Sequence, residues 1–449
     1  MRKRNRKKEN LKKSNLGIMI GLLLCLAAAG AGVRYFTGAR TAGETEEQAV
    51  PDGSGAGIQD IQAEPAGADS PIPEAPEKVE PDTAEPEEPE PEKTEEALLE
   101  EQITERMADM TTEEKVLQLF MVTPEALTGY ESVTAAGERT REAILQYPVG
   151  GIIYFAGNLQ EPEQVRTMLQ NTRQYYEEAG YLSPFLGVDE EGGRVARISG
   201  RPAFGVEQVE DMRSIGDRRD AGEAAQVGCV IGSFLSELGF TLDFAPVADV
   251  LTEPENEVIG SRSFGTEPEL VAELAMAAAS GLEEAGVWAV LKHYPGHGAT
   301  RGDTHDGYAY TDKTLGELTE AELVPFQRGI DEGIHFIMVA HISAPSVTGD
   351  EVPCTLSSRM ITEILRTEMG YDGIVVTDAM NMDAVSRQYR SAEASVLGLQ
   401  AGVDLILMPA DFQDACEGVL AALETGALTE ERIDESVRRI LRVKLRPLK

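Results

Sequence analysis

WAVLKHYPGHGATRGDTH, residues 288–305, opens as an unbroken apolar run and ends as a polar loop rich in glycine and histidine. A short run that is apolar throughout suits a parallel strand covered on both faces, because such a strand has no wet side to show. Immediately upstream, EPELVAELAMAAASGLEEAG (267–286) has helical spacing and stops at a glycine, as helix C-termini often do. The same alternation repeats in both directions. Strand-like runs stand at LQLFMV (117–122), GGIIYF (150–155), PFLGVD (184–189), TLDFAPV (241–247), HFIMVAH (335–341), GIVVTD (373–378) and DLILMP (404–409). Helical patterns such as 161–180 and 356–370 lie between them, and a last one, LTEERIDESVRRILRVKL, runs nearly to Lys449. Eight β/α alternations in roughly 350 residues predict the α/β class and a single (β/α)8 TIM-type barrel over 99–449, rather than an open doubly wound sheet.

Such a barrel does chemistry at the C-terminal ends of its strands. Here those ends read VDEEGGR after the third strand, DFAPVADV at the fourth, KHYPGHG after the fifth and TDAMNM after the seventh. Polar and glycine-rich sequence therefore gathers on one face.

The chain ahead of the barrel has a different character. Residues 1–15 carry eight Lys/Arg against one Glu, and Leu16 to Val33 holds no charge. Eighteen apolar residues make a helix of about 27 Å, close to a bilayer core, and the basic flank is expected to stay cytoplasmic. This predicts an N-terminal transmembrane segment at 16–33, membrane contact through it, and a single-pass protein with its catalytic domain outside. Secretion after signal cleavage is the alternative, and lipidation at Cys25 a third, disfavoured because Leu24 is not small. Residues 34–98 read as a disordered, acidic, Pro-rich linker: nine prolines lie from Pro51 to Pro91, and nineteen acids face two lysines from Glu44 to Glu100. That stretch supplies much of the chain's net charge of −38. An acidic protein is a poor partner for nucleic-acid phosphates. Cys229, Cys354 and Cys416, an odd number without tight spacing, read as small buried apolar side chains rather than as disulfides or a zinc site.

All five histidines fall between His293 and His341, three of them in the loop from Lys292 to His305. His293 and His297 are four apart, but a zinc pair at that spacing needs a helix, and Pro295 and Gly296 oppose one. No metal or other cofactor is expected. Asp303 and His305 are two apart, a carboxylate placed to fix an imidazole's tautomer and raise its basicity. Asp378 ends an apolar strand, where it either faces the barrel mouth or caps the next helix. In GVDEEGGRVAR, Asp189 suits sugar hydroxyls, and Arg194 and Arg197 are rigid multi-donors. Glu190 and Glu191 read as surface charges, and Gly192 and Gly193 allow close backbone approach to a ligand. Arg262, in VIGSRSFG, could reach the same pocket.

GVDEEGGRVAR, DFAPVADV, VIGSRSF, KHYPGHG with DTH, and VVTDAMNM together resemble, in this order, the glycoside hydrolases of family 3, most closely their β-N-acetylglucosaminidase branch. The likeness spans about residues 105–445. It implies a retaining, exo-acting hydrolase that releases β-linked N-acetylglucosamine from cell-wall fragments through a covalent glycosyl-enzyme. Asp378 would be the nucleophile and His305 the acid/base, assisted by Asp303. Asp189, Arg197, Arg262, Lys292 and His293 match sugar-contacting positions. Two positions depart from the pattern: Glu190 stands where the family usually has Gln, and Thr304 where it often has Ser. A histidine acid/base repels anions less than a carboxylate, so phosphate is a conceivable alternative acceptor to water. The same fold acting on β-glucosides, or a non-catalytic wall-binding protein, are the competing readings.

Overall fold

The structure, a computed structural model, describes residues 94–304, 307–446 and 448. Eight short parallel strands form one sheet: β1 (Phe120–Val122), β2 (Gly151–Ile153), β3 (Phe185–Val188), β4 (Leu242–Asp243), β5 (Trp288–Tyr294), β6 (Phe336–Val339), β7 (Ile374–Thr377) and β8 (Ile406–Leu407). Each lies inside one of the eight apolar runs. Consecutive strands pair from β1 to β7, and β8 pairs with β1, in register Phe120↔Ile406. The ring closes between β7 and β8 through a single parallel bridge, Val376↔Leu405, flanked by the backbone bonds Leu405 N–H to Val375 O and Thr377 N–H to Leu405 O.

That thin seam is reinforced by a buried carboxylate. Asp404 is fully buried; its Oδ2 accepts from the Val375 amide at 2.9 Å and from Arg366, and its Oδ1 from the Ser436 hydroxyl at 2.7 Å and from Arg439 at 3.3 Å. Burial alone would raise its pKa, but Arg366, Arg439 and Arg432 outweigh that and hold it below the ordinary carboxylate value. The last helix, Glu430–Leu445, thus ties itself to the closing strands. It also holds the first described helix, Glu95–Asp109, through Arg438 and Arg442 on Glu100. The linker expected to reach residue 98 therefore ends earlier: Thr94 caps this helix by accepting from the Ala97 amide.

The strands are buried on every residue, inside by one another and outside by helices. Inside the barrel, Phe185 and Phe336 meet edge to face with centroids 5.3 Å apart. Gly187 makes room there, since a Cβ would lie 2.4 Å from Met121 Cε. Outside, the helices Ala221–Leu238 and Pro268–Glu284 pack so closely that a Cβ on Gly228 would lie 2.1 Å from Ala278 O, and one on Gly281 2.2 Å from Ala225 O.

No helix among the described residues is long and apolar enough to cross a membrane. Even the longest, Ala221–Leu238, carries Glu223, Gln226 and Glu237 and buries one face only, as a helix does that lies between a sheet and water. Nothing among the described residues therefore supplies the spanning helix that the expected membrane partner and single-pass placement require, which corrects that expectation for the chain from Thr94 onward. The basic flank 1–15, the apolar run 16–33 and nearly all of the linker lie outside the described residues.

Candidate active site

β5 is the longest strand, and its upper end delivers Lys292 and His293 to the rim of the barrel. Both are buried, so each needs a partner for its polar atoms. Lys292 Nζ lies 2.6 Å from Glu191 Oε1 and 3.0 Å from Asp189 Oδ1, both in the loop after β3. Arg262 grips Glu191 with two parallel bonds of 2.8 Å, from Nε and Nη2. Two cations on one buried carboxylate settle its charge: burial would raise the Glu191 pKa, but Arg262 and Lys292 drive it far below the usual range. Burial likewise acts against the Lys292 ammonium, yet Glu191 and Asp189 raise its pKa. Glu191, read from sequence as a surface charge, is instead the post on which Arg262 and Lys292 hang.

Glu190 is also buried, against the same expectation. Its carboxylate accepts the backbone amides of Arg197 (2.6 Å), Ile198 (2.9 Å) and Ser199 (2.9 Å), which folds the loop back over the mouth. Its charge is satisfied by three N–H donors rather than by the pocket. The fold-back presents the Arg197 side chain, with Nη2 3.9 Å from Asp189 Oδ2 and the guanidinium over the Phe155 ring. Arg197 Nε is buried with no hydrogen-bond partner among the described residues.

His293 is held at both ring nitrogens. Nδ1 lies 2.6 Å from Asp249 Oδ2, and Nε2 lies 3.2 Å from Arg262 Nη2. Because a guanidinium only donates, Nε2 accepts and Nδ1 carries the proton that Asp249 receives. Asp249, fully buried past the end of β4, also accepts the His297 amide at 2.6 Å. Burial would raise its pKa; His293 and His297 pull it down. The His297 ring turns elsewhere, Nδ1 to Thr300 Oγ1 at 2.8 Å and Nε2 to Thr304 Oγ1 at 3.3 Å. The two rings meet edge-on, centroids 5.9 Å apart, each engaged with its own partners.

Asp378 follows β7 and is partly exposed. Its Oδ1 accepts from the Ala379 amide at 2.8 Å, and the Ala379 carbonyl accepts from His341 Nε2 at 3.0 Å, so one residue connects the carboxylate to the chain just past β6. Burial would raise its pKa, but His293, His341, the Ala379 N–H and Lys292 outweigh it and keep the group ionised.

The loop bearing Asp303 is pinned at Thr304. That residue is fully buried; its hydroxyl meets His297, and its carbonyl accepts from the Ala384 amide at 3.3 Å in the chain that follows Asp378. The loop after β5 and the loop after β7 thus touch. Asp303 is partly exposed, and His305 lies outside the described residues.

Sequence reasoning missed Asp249, Glu191, His341 and Thr304. The rule that found Asp189 and Asp378, a polar residue just past an apolar strand, also covers Asp249 and His341. Not every histidine belongs here: His335 stands just ahead of β6, at the opposite end of the barrel, its ring on Trp288 at 4.5 Å.

Comparison with known proteins bears on the family and the fold. The family model described as "Glycosyl hydrolase family 3 N terminal domain" matches residues 111–443. "Beta-hexosaminidase A" of Pseudoalteromonas piscicida is 34% identical over 336 residues, covering 70% of this chain but 56% of that protein. A glycoside hydrolase family 3 β-N-acetylglucosaminidase structure from Paenibacillus superposes with a TM-score of 0.70 at 38% identity, over 76% of this chain and 64% of the other. A family 3 glycosyl hydrolase structure from Mycobacterium smegmatis gives 0.66 at 32% identity, over 76% and 99%. The chain thus spans less than two thirds of the first two of these relatives and nearly all of the third.

Proposed function

Because this chain belongs to glycosyl hydrolase family 3, we propose that it is a retaining, exo-acting β-N-acetylglucosaminidase, working on N-acetylglucosamine-containing glycans of the cell-wall type. Asp378 attacks the anomeric carbon and forms the covalent glycosyl-enzyme. His305 protonates the departing oxygen and then takes a proton from the incoming water, with Asp303 fixing its orientation. Asp189, Arg197, Arg262, Lys292 and His293 grip the hydroxyls and the acyl group of the sugar. Family membership and the names of the relatives support the activity and the sugar. The observation that carries the site is the setting of Asp378: it follows β7 with Oδ1 held by the Ala379 amide at 2.8 Å, and its surroundings hold its pKa below the ordinary carboxylate value, as an ionised nucleophile needs. Pinning of Thr304 against the chain beyond Asp378 supports a shared pocket for the two loops.

The test is a panel of nitrophenyl glycosides with wild type and Asp378→Ala. Release from the β-N-acetylglucosaminide should vanish in the variant, and near-wild-type turnover there would end the assignment. A wild-type preference for the β-glucoside would end the sugar assignment alone. His305→Ala should lose far less on nitrophenyl substrates than on a disaccharide, because a good leaving group needs little protonation.

A further inference from the structure

Tyr308 leaves an aromatic ring 43% exposed, four residues beyond the buried Thr304. It is not a loose surface side chain. Tyr310 stacks beneath it, with centroids 5.4 Å apart and planes 20° from parallel, so one face is covered and the other is left to solvent. The segment is braced at both sides. Arg301 and Tyr310 exchange backbone bonds of 3.1 and 3.2 Å, and Ala309, fully buried, accepts from the Ser343 amide at 2.9 Å. Thr311 donates to the Ser343 carbonyl at 3.0 Å, and the Ser343 hydroxyl in turn donates to the Glu351 carbonyl at 2.7 Å.

The braces also fix where this ring lies. Ser343 is two residues past His341, whose Nε2 meets the carbonyl next to Asp378. On the other side, the chain from Thr304 to Tyr308 can span at most about 14 Å. A rigid, wet aromatic face thus stands at the rim, within a few residues of both loops that form the site. Exposing such a face costs about 25 cal/mol per Å² of apolar surface, and ordering it against a second ring adds entropy cost. Both costs are recovered when a flat apolar partner covers the ring. The C–H face of a pyranose is such a partner.

We propose that the Tyr308–Tyr310 stack is the platform for the aglycone: the sugar on the leaving side of the scissile bond lays its C–H face on the open ring of Tyr308. This rests on the glycosidase reading above, and it assigns the outer, specificity-setting subsite. The ring binds the departing sugar and takes no part in bond making.

Two substrates separate the roles: N,N′-diacetylchitobiose, which has an aglycone sugar, and N-acetyl-β-glucosaminyl fluoride, which has none. In Tyr308→Ala, the ratio of kcat/KM for chitobiose to that for the fluoride should fall about tenfold, as loss of one stacked contact implies. In Tyr308→Phe, which keeps the ring and loses the hydroxyl, the ratio should stay within about twofold of wild type. An unchanged ratio in the alanine variant would overturn the platform, as would an equal fall in the phenylalanine variant. Wild-type inactivity on both substrates would instead overturn the glycosidase reading, and this proposal with it.

Discussion

Replacing Glu191 by Gln tests whether the active-site cations are held by a buried charge. The carboxylate is almost wholly buried and carries three contacts of 2.6–2.8 Å from Lys292 and Arg262. Those partners are buried too, with side chains 3% and 12% exposed. Glutamine keeps the shape but removes the charge, leaving two cations facing a neutral amide. Breaking a buried ion pair costs about 3–5 kcal/mol, because the surviving charge stays uncompensated. Asp189 remains beside Lys292 at 3.0 Å and offsets part of this, so the lower end is expected. A barrel of about 350 residues has an unfolding entropy of about 0.7 kcal/mol/K, so the loss should lower Tm by about 4–7 °C. Exposed Glu267 provides the control: its two bonds to Arg219, of 2.5 and 2.8 Å, are as short, but the side chains are 60% and 54% exposed. Solvent-screened pairs contribute little, so Glu267→Gln should shift Tm by less than about 1 °C.

The pH dependence carries a sign. Glu191 has a depressed folded-state pKa, so its contribution is complete above the unfolded value of 4.5 and is lost as pH falls toward the folded one. The wild-type advantage over Glu191→Gln should be constant at neutral pH and shrink progressively below about pH 4.5. Calorimetric Tm values for the three proteins from pH 3 to 8 measure this. Equal shifts from the buried and the exposed glutamate, or a gap that does not narrow between pH 4.5 and pH 3, would refute the reasoning.

Asp249→Asn keeps one acceptor where two donors, His293 Nδ1–H and the His297 amide, now share a carboxylate. Losing one charge-assisted bond of about 1.5–3 kcal/mol should cut kcat/KM about ten- to hundredfold. Nitrogen NMR of the imidazole should report a changed His293 tautomer balance; an unchanged tautomer with kcat/KM within about twofold would remove Asp249 from this role. Glu190→Gln should destabilise by about 1–3 kcal/mol, because the amide NH2 must face one of three backbone N–H donors. Urea unfolding at wild-type strength would show that this loop tolerates the swap. Gly281→Ala forces a Cβ to within 2.2 Å of Ala225 O, so the two helices must part. A cost of at least about 1–3 kcal/mol is expected, and an unshifted Tm would mean that the helix contact is looser than described.

The barrel was legible in the sequence because its strands are covered on both faces. Full coverage makes each strand a continuous apolar run, and β5 within 288–294 shows how little tertiary context that pattern needs. Asp189 and Asp378 were legible for a related reason: a polar residue directly after such a run has only the rim to occupy. Glu190 and Glu191 were not. Two adjacent acids followed by two glycines look like surface charge, and nothing local reveals that Arg262, some seventy positions later, and Lys292, about a hundred later, converge on the second. A buried charge is defined by partners, and partners at that separation are chosen by the winding of the barrel. The same holds for Asp404, whose partners at the closing seam are a backbone amide of β7 and side chains from two helical segments, Arg359–Glu368 and Glu430–Leu445. Sequence alone determined the alternation, the end of the barrel at which polar residues gather and the residue types available there. Only the tertiary structure decided which of those residues are held, by whom and in what charge state, because burial and long-range pairing set the energy of a charge and neither is a local property.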